Sequence, residues 1–457
     1  MNLAERLADY AYHLSYLDLD SETINEAKKR FVDALGCAVG SYNEQPIKIA
    51  RKVALTTGKG DSTVLGTRAK VPTDTATFVN GLMIRYFDFN DTYLSKEPAH
   101  PSDNIGATIS VAEKQGASGK ELILSTILAY EVQCRLCDAA DIRHRGWDHV
   151  CYGLVSSALA AGKLLGLRRD QLTNAVNIAL NAHIAMRQVR SGELSMWKGA
   201  SFAEAARNAV FAALLAGAGM EGPSPIFEGD MGFFRQVSGP FDIDVTRFGG
   251  RSGSFKLNET YVKYWPVEYH AQTAVWAAVE LRKEINDPSQ AESVLIETHE
   301  AGYSILGKDR EKWIPATKET ADHSLPYIAA VCLINGKIEN SDYSQRRLRD
   351  PNVLKLVKKI RVIEDPALTK LYPHAGMPNR ITVTLGGGEA ASAEAFIPRG
   401  HPLNPMKERE LESKFRSLVK RVLGRKRTEE ALQCLWSLEK VKDAGDVTPL
   451  FRAPGRN

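Results

Sequence analysis

Runs such as "LVSSALAAGKLLGL" and "AVFAALLAGAGM" carry alanine, glycine and serine on more than one helical face. A helix of that kind shows no polar side to water, and its small side chains let a neighbour's backbone come close. The chain is therefore constrained to pack helix against helix on several sides. "DSETINEAKKRFVDALGCAVGS" adds Ile24, Ala27, Phe31, Ala34 and Ala38 at helical spacing behind a cap at Asp20 or Ser21. "TDTATFVNGLMIRYFDF", "GKELILSTILAYEVQCRLCDAA", "DHVCYGLVSSALAAGKLLGL", "RRDQLTNAVNIALNAH" and "SFAEAARNAVFAALLAGAG" continue the pattern.

Near residue 263 the texture changes. "AESVLIETHE", "VKKIRVIEDP" and "RITVTLGGGEAASAEAF" alternate with period two, and glycines 386–388 suit a hairpin turn. Helical patterns "QTAVWAAVELRKEI" and "HSLPYIAAVCLING" sit among them, and "NPMKERELESKFRSLVKRVL" is helical again. The expected architecture is mainly α: a large helical domain from residues 1–262 and 400–457, with a smaller α+β lid over 263–399.

A length of 457 residues exceeds one compact core. The formal charge of +4 is too weak to imply a nucleic-acid partner. Glu5, Arg6 and Asp9 interrupt what a signal peptide would need as an apolar run, and Lys163 stops the most apolar stretch well short of the ~20 residues of a membrane span. Six scattered cysteines make no disulfide framework. The expectation is a cytoplasmic protein without membrane contact.

Weaker motifs resolve into structural readings. "GAGMEG" matches the letters of a dinucleotide loop, but a helical pattern precedes it and Pro223 follows, which describes a helix end. Cys134 and Cys137, with Cys37 upstream, recapitulate the three cysteines of an iron–sulfur site, yet the pair lies on an unbroken helical pattern with no loop to wrap a cluster. "KRVLGRKR" is flanked by Glu408, Glu410, Glu412, Glu429 and Glu430, the signature of a solvated helix face.

The chemistry concentrates elsewhere. "FDFNDTYLSKEPAHPSDN" places Asp88 and Asp91 at an expected helix C-terminus, where acid is unfavourable by about 0.3–1 kcal/mol each. Asp88 and Thr92 share a face if that helix persists. His100 precedes a helix start, where positive potential favours a neutral imidazole fit to accept a proton. His149 adjoins Asp148 before another small-residue helix, and Arg187, Arg190 and Lys198 precede a third, the arrangement of an anion site. Lys263, His323 and Tyr327 lie in later polar stretches with apolar and aromatic surroundings. Together these residues suggest a pocket for a polyanionic small molecule.

The segments "DFNDT", "HPSDN", "GELSMWKG", "GPSPIFEGDMGFF", "KYWPVEYHAQ", "TADHSLPY" and "GHPLNPM" resemble, in order, those of the MmgE/PrpD family, which includes 2-methylcitrate dehydratases, cis-aconitate decarboxylases and iminodisuccinate epimerases. The resemblance implies a helical domain with a lid, a homodimer, and neither cofactor, metal nor iron–sulfur cluster. It places active-site positions on Asp88, Thr92, His100, His149, Lys198, Lys263 and Tyr327. Glu268 stands where the animal decarboxylases have a histidine, and the loop between Thr92 and His100 is longer than theirs. The expected activity is β-elimination of water from a citrate-like tricarboxylate, most closely 2-methylcitrate, with epimerase or decarboxylase chemistry as the alternative and an inactive helical scaffold as the non-enzymatic one. In this scheme His100 is the base oriented by Asp88, and His149 is the acid, helped by Tyr327. Arg187, Arg190, Lys198, Lys263 and His323 bind substrate.

Overall fold

The computed structural model describes residues 1–373 and 376–454. The first part of the chain forms α1 (Leu3–His13), α2 (Ser21–Gly40), α3 (Gln45–Ala54), α4 (Thr73–Arg85), α5 (Ile105–Gln115), α6 (Gly119–Ala139), α7 (Val150–Leu164), α8 (Arg169–Ala182) and α9 (Trp197–Gly217). Two short strands, β1 (Ser62–Thr63) and β2 (Lys70–Val71), pair antiparallel between α3 and α4. Local chemistry sets the boundaries. The Asp20 carboxylate accepts from the Thr23 amide to start α2, and Ser118 with Glu121 forms a capping box on α6.

The later part contains α10 (Gln272–Glu284), α11 (Glu300–Leu306), α12 (Lys318–Ala321), α13 (Leu325–Asn335), α14 (Gln345–Leu348), α15 (Pro351–Val357) and α16 (Pro366–Leu371). With these go β3 (Ala291–Thr298), β4 (Ile360–Glu364), β5 (Asn379–Leu385) and β6 (Ala390–Ala395). The four strands form one sheet in the order β4-β3-β5-β6, parallel between β3 and β4 and antiparallel elsewhere. The glycine turn joins β5 to β6, and α10 covers that end of the sheet. The chain closes with α17 (Glu408–Leu423) and α18 (Arg425–Trp436), which pack on α2.

Two separate apolar cores result. One draws on residues from Leu3 to Val262 and again from Met406 to Phe451, and the other on Val267 to Val383. Among the described residues no helix is long and apolar enough to cross a membrane. Cys134 and Cys137 are buried, unpaired residues of α6, and "GAGMEG" is the end of α9.

The small residues act where α4, α5, α7 and α9 meet. A Cβ on Gly106 of α5 would lie 2.7 Å from the backbone N and Cα of Gly81 in α4. One on Gly81 would lie 3.2 Å from the Ala203 methyl of α9, and one on Gly153 of α7 would lie 2.4 Å from the Phe202 ring of α9. These contacts fix how near the helix ends stand to one another, and the candidate site is built on those ends. Gly106→Ala meets backbone that cannot move aside, so it should destabilise the protein by about 1–3 kcal/mol. Gly386→Ala, whose Cβ would meet only a Glu292 oxygen at 3.9 Å, serves as control in the same melting experiment.

Candidate active site

The helix expected to run through Phe89 stops at Arg85. Three residues on, Asp88 adopts φ +50°, the only positive φ outside glycine among the described residues. Aspartate tolerates this left-handed conformation better than most residues, and such strain persists only when the surroundings over-determine it. They do. The buried Asp88 carboxylate pairs with Arg85, with Lys198 Nζ at 3.1 Å and with Lys263 Nζ at 3.0 Å, and His323 Nε2 stands 3.6 Å away. Lys263 also donates to the Asp88 carbonyl at 2.8 Å. The early helix end means that Asp88 and Thr92 do not share a helical face. Thr92 instead pairs with Tyr261 through two backbone hydrogen bonds of 2.8 and 2.7 Å.

Asp91 is a separate device. Its carboxylate accepts from the Ser102 amide at 2.9 Å and the Tyr130 hydroxyl at 2.7 Å, which staples the loop that carries His100. His100 Nδ1 donates to the Asp91 carbonyl at 2.7 Å, with the Thr92 hydroxyl 3.2 Å from the same nitrogen. That assignment leaves the lone pair on Nε2. Burial, Arg85 and Lys263 hold the His100 pKa well below its usual value, so the ring is neutral. The expected orienting role of Asp88 is not seen: backbone carbonyl and threonine hydroxyl hold His100, while Asp88 serves the cations.

Three helix N-termini converge here. His100 opens the 3-10 turn Pro101–Asn104 that leads into α5, His149 caps α7, and Lys198 lies in the first turn of α9. The His100 and His149 rings are 5.8 Å apart. The partial positive charges of the helix ends add to the lysines and arginines, which makes the spot a strong anion site. His149 Nε2 accepts from Arg190 at 2.9 Å, and Arg190 also clasps Asp148 at 2.6 and 3.2 Å. Burial and the Arg190 charge push the His149 pKa down to about 3, a poor proton donor. Arg187 is half-buried beside them and has no ion pair among the described residues.

Burial lowers the Lys198 pKa to about 8, against the Asp88 and Asp322 charges that raise it. From the lid, His323 Nδ1 meets Asp322 at 2.5 Å, and Asp322 meets Lys318 at 2.7 Å. Burial and the Lys198 charge lower His323 to about 4. Tyr327 is not brought to this cluster. It sits in the lid core, its hydroxyl donating to the Asp342 carbonyl at 2.6 Å. Sequence reasoning missed Arg85, although its spacing of three from Asp88 was visible, and it missed Asp322 and the lid residue His270; Glu268 was noted but given no role. Ligand atoms of Asp88, Asp322 and His323 lie within 4.8 Å of one another, a possible metal trio by geometry. Arg85, Lys198, Lys263 and Lys318 already sit on those carboxylates, so a metal ion would face four fixed positive charges. The donor set does not fit one.

A cleft of about 1570 Å³ opens between the helices and the lid, lined by Tyr86, Phe87, Trp265, Lys318 and Lys414 among others. Neither His100 nor His149 borders it. Lys318, on its wall, also donates to the Tyr86 carbonyl at 3.3 Å, a contact between lid and helical body.

Comparison with known proteins identifies the family. The model of the MmgE/PrpD N-terminal domain matches residues 5–246, and that of the C-terminal domain matches residues 265–439. A 2-methylcitrate dehydratase of Cupriavidus necator is 31% identical over 402 residues, 82% of this chain and 81% of the relative. The 2-methylcitrate dehydratase of Salmonella typhimurium is 31% identical over 416 residues, covering 85% and 84%. The mouse cis-aconitate decarboxylase is 25% identical over 479 residues, covering 99% and 94%.

Removing the central carboxylate tests the electrostatics. Asp88→Asn leaves Lys198 and Lys263 buried without their ion-pair partner and Arg85 with Asp103 alone, so thermal melting should show a loss on the order of 3–5 kcal/mol. The Lys198 pKa should fall further, because the Asp88 charge is what raises it.

Proposed function

The chain belongs to the MmgE/PrpD family, and from that premise we propose that it is a cofactor-independent hydro-lyase of a citrate-like tricarboxylate, with 2-methylcitrate as the first candidate. One observation carries the reading: a neutral imidazole with a free Nε2 lone pair stands at the meeting point of three helix N-termini and several buried cations. The dehydratase relatives support the choice of reaction and substrate.

In this mechanism a substrate carboxylate lies against Lys198 and Lys263 and a second against Arg187 and Arg190. His100 Nε2 removes the proton α to the first carboxylate. The resulting charge spreads onto that carboxylate, where fixed cations are worth more than in water. The double bond forms as the β hydroxyl leaves. His149 is not the acid that protonates it, because its ring is held neutral and already accepts from Arg190. Its role is to fix Arg190. Lys198 acts as a cation and not as a base.

The test is ultraviolet absorbance of an unsaturated product from 2-methylcitrate and the citrate isomers, with EDTA present. Absence of product across the panel, or activity abolished by the chelator, overturns the reading. Exchange of solvent deuterium into a dicarboxylate without absorbance change would instead favour an epimerase.

The pH profile separates the roles. If Lys198 must be an ammonium, kcat/KM falls as pH rises through about 8, and Lys198→Arg carries activity to higher pH. If Lys198 were the base, activity would rise through the same pH and the arginine variant would be dead. On the acid side, neutral His100 keeps the plateau down to well below pH 6.5.

A homodimer completes the proposal. Trp197, Phe211 and Met220 are exposed along and just beyond α9, an apolar strip suited to a second copy. Light scattering at twice 50.3 kDa is expected, and a stable mass of one chain overturns it. A cytoplasmic setting accords with the unpaired cysteines.

A further inference from the structure

The proposed elimination needs a proton donor for the departing hydroxyl, and the residues expected for that role do not suit it. His149 is a poor acid, Tyr327 is committed within the lid core, and Lys198 is tied to Asp88. The lid carries a chain of three groups, none of which was expected to act on substrate. The Glu268 carboxylate holds His270 twice, through Nδ1 at 2.9 Å and through the backbone amide at 2.7 Å. His270 Nε2 stands 3.2 Å from the Tyr372 hydroxyl. The His299 ring lies flat on Tyr372 at 4.3 Å and 5°, which fixes the phenol plane.

The chain is oriented with respect to the site. At its inner end the Glu268 amide donates to the Asp322 carbonyl at 2.9 Å, one residue from His323, and the Lys263 charge bears on the Glu268 carboxylate. At its outer end half-buried Tyr372 feels the charge of Arg143, and Arg143 and Arg187 both act on Glu97. On the hydro-lyase reading above, we propose that a substrate between His100 and the arginines has the phenol on its lid side, and that the Tyr372 hydroxyl, held by His270 and Glu268, delivers the proton that turns the departing hydroxyl into water.

The step balances. The C–H electron pair becomes the double bond as the proton passes to His100 Nε2, and the C–O bond breaks with its pair on oxygen. The Tyr372 O–H proton joins that oxygen to give water, and the phenolate so formed stays beside His270. Afterwards His100 releases its proton to solvent and Tyr372 regains one. Burial raises the Tyr372 pKa to about 12, so the phenol is protonated at working pH yet remains more acidic than water at about 15.7.

Tyr372→Phe keeps the stacked ring and removes only the hydroxyl. The variant should lose about 100-fold or more in dehydration kcat, with KM changed less than about threefold, while solvent deuterium still enters the α position at the wild-type rate. An analogue with fluorine in place of the hydroxyl needs no proton to leave, so the variant should release fluoride from it at the wild-type rate. His270→Gln, a change in a positioning residue, should slow dehydration and spare fluoride release in the same way. The inference alone is overturned if wild type dehydrates and Tyr372→Phe matches it, or if the variant loses exchange, dehydration and fluoride release together, as a structural role would require. If wild type gives neither exchange nor dehydration with any tri- or dicarboxylate, the hydro-lyase reading falls and takes the inference with it.

Discussion

A single buried carboxylate, Asp88, holds the cations of this site together. Arg85, Lys198 and Lys263 would each cost several kcal/mol to bury alone, and mutual attraction in a low dielectric is what makes their burial tolerable. Asp103 also stands 3.6 Å from Arg85, and the Asp322 charge bears on Lys198. Burial first, and the neighbouring cations second, hold the histidines at the cluster, His100, His149 and His323, below their usual pKa and neutral. A well-packed apolar group would stabilise the fold at least as well. The arrangement makes physical sense as a prepared positive hole that waits for an anion.

Packing and electrostatics are linked through the helix ends. Gly81 and Gly106 bring α4 and α5 to backbone contact, so the C-terminus of one and the N-terminus of the other stand side by side. Ala203 and Phe202 locate α9 against α4 and α7 in the same way. Helix ends spaced by bulkier residues would leave Lys198 short of Asp88. The left-handed turn at Asp88 then reverses the chain where α4 stops, and presents both its carboxylate and its carbonyl to Lys263.

Much of this was legible in the sequence because it depended on periodicity. The helices, the strands around the glycine turn, and the placing of His100, His149 and Lys198 at helix starts follow from local pattern. What was not legible depended on distance along the chain. The alternation cannot say that α4 ends one turn early, because ion pairs to residues 198 and 263 decide it. Tyr327 looked like a site residue because it follows His323 closely, but α13 points it into the lid core. Arg190, Lys198 and Lys263 read as free cations, whereas Asp148 and Asp88 already partner them and Arg187 alone of the four is left unpaired among the described residues. Tyr372 gave no signal, since its link to His270 spans 102 residues.

The division of labour between the two cores bears on why one scaffold serves several reactions. Removing a proton next to a carboxylate needs a base and fixed cations, and the helical body supplies those apart from Lys263, which enters at the junction with the lid. What happens to the carbanion next depends on what stands on its other face. A proton returned to the same carbon gives epimerisation, and a proton given to a leaving hydroxyl gives an alkene. In the proposed mechanism the lid, with Glu268, His270 and Tyr372, decides the outcome, and the body decides only that a carbanion forms. Residues that change the reaction should therefore cluster in the second core's surface, and those that change substrate charge in the first.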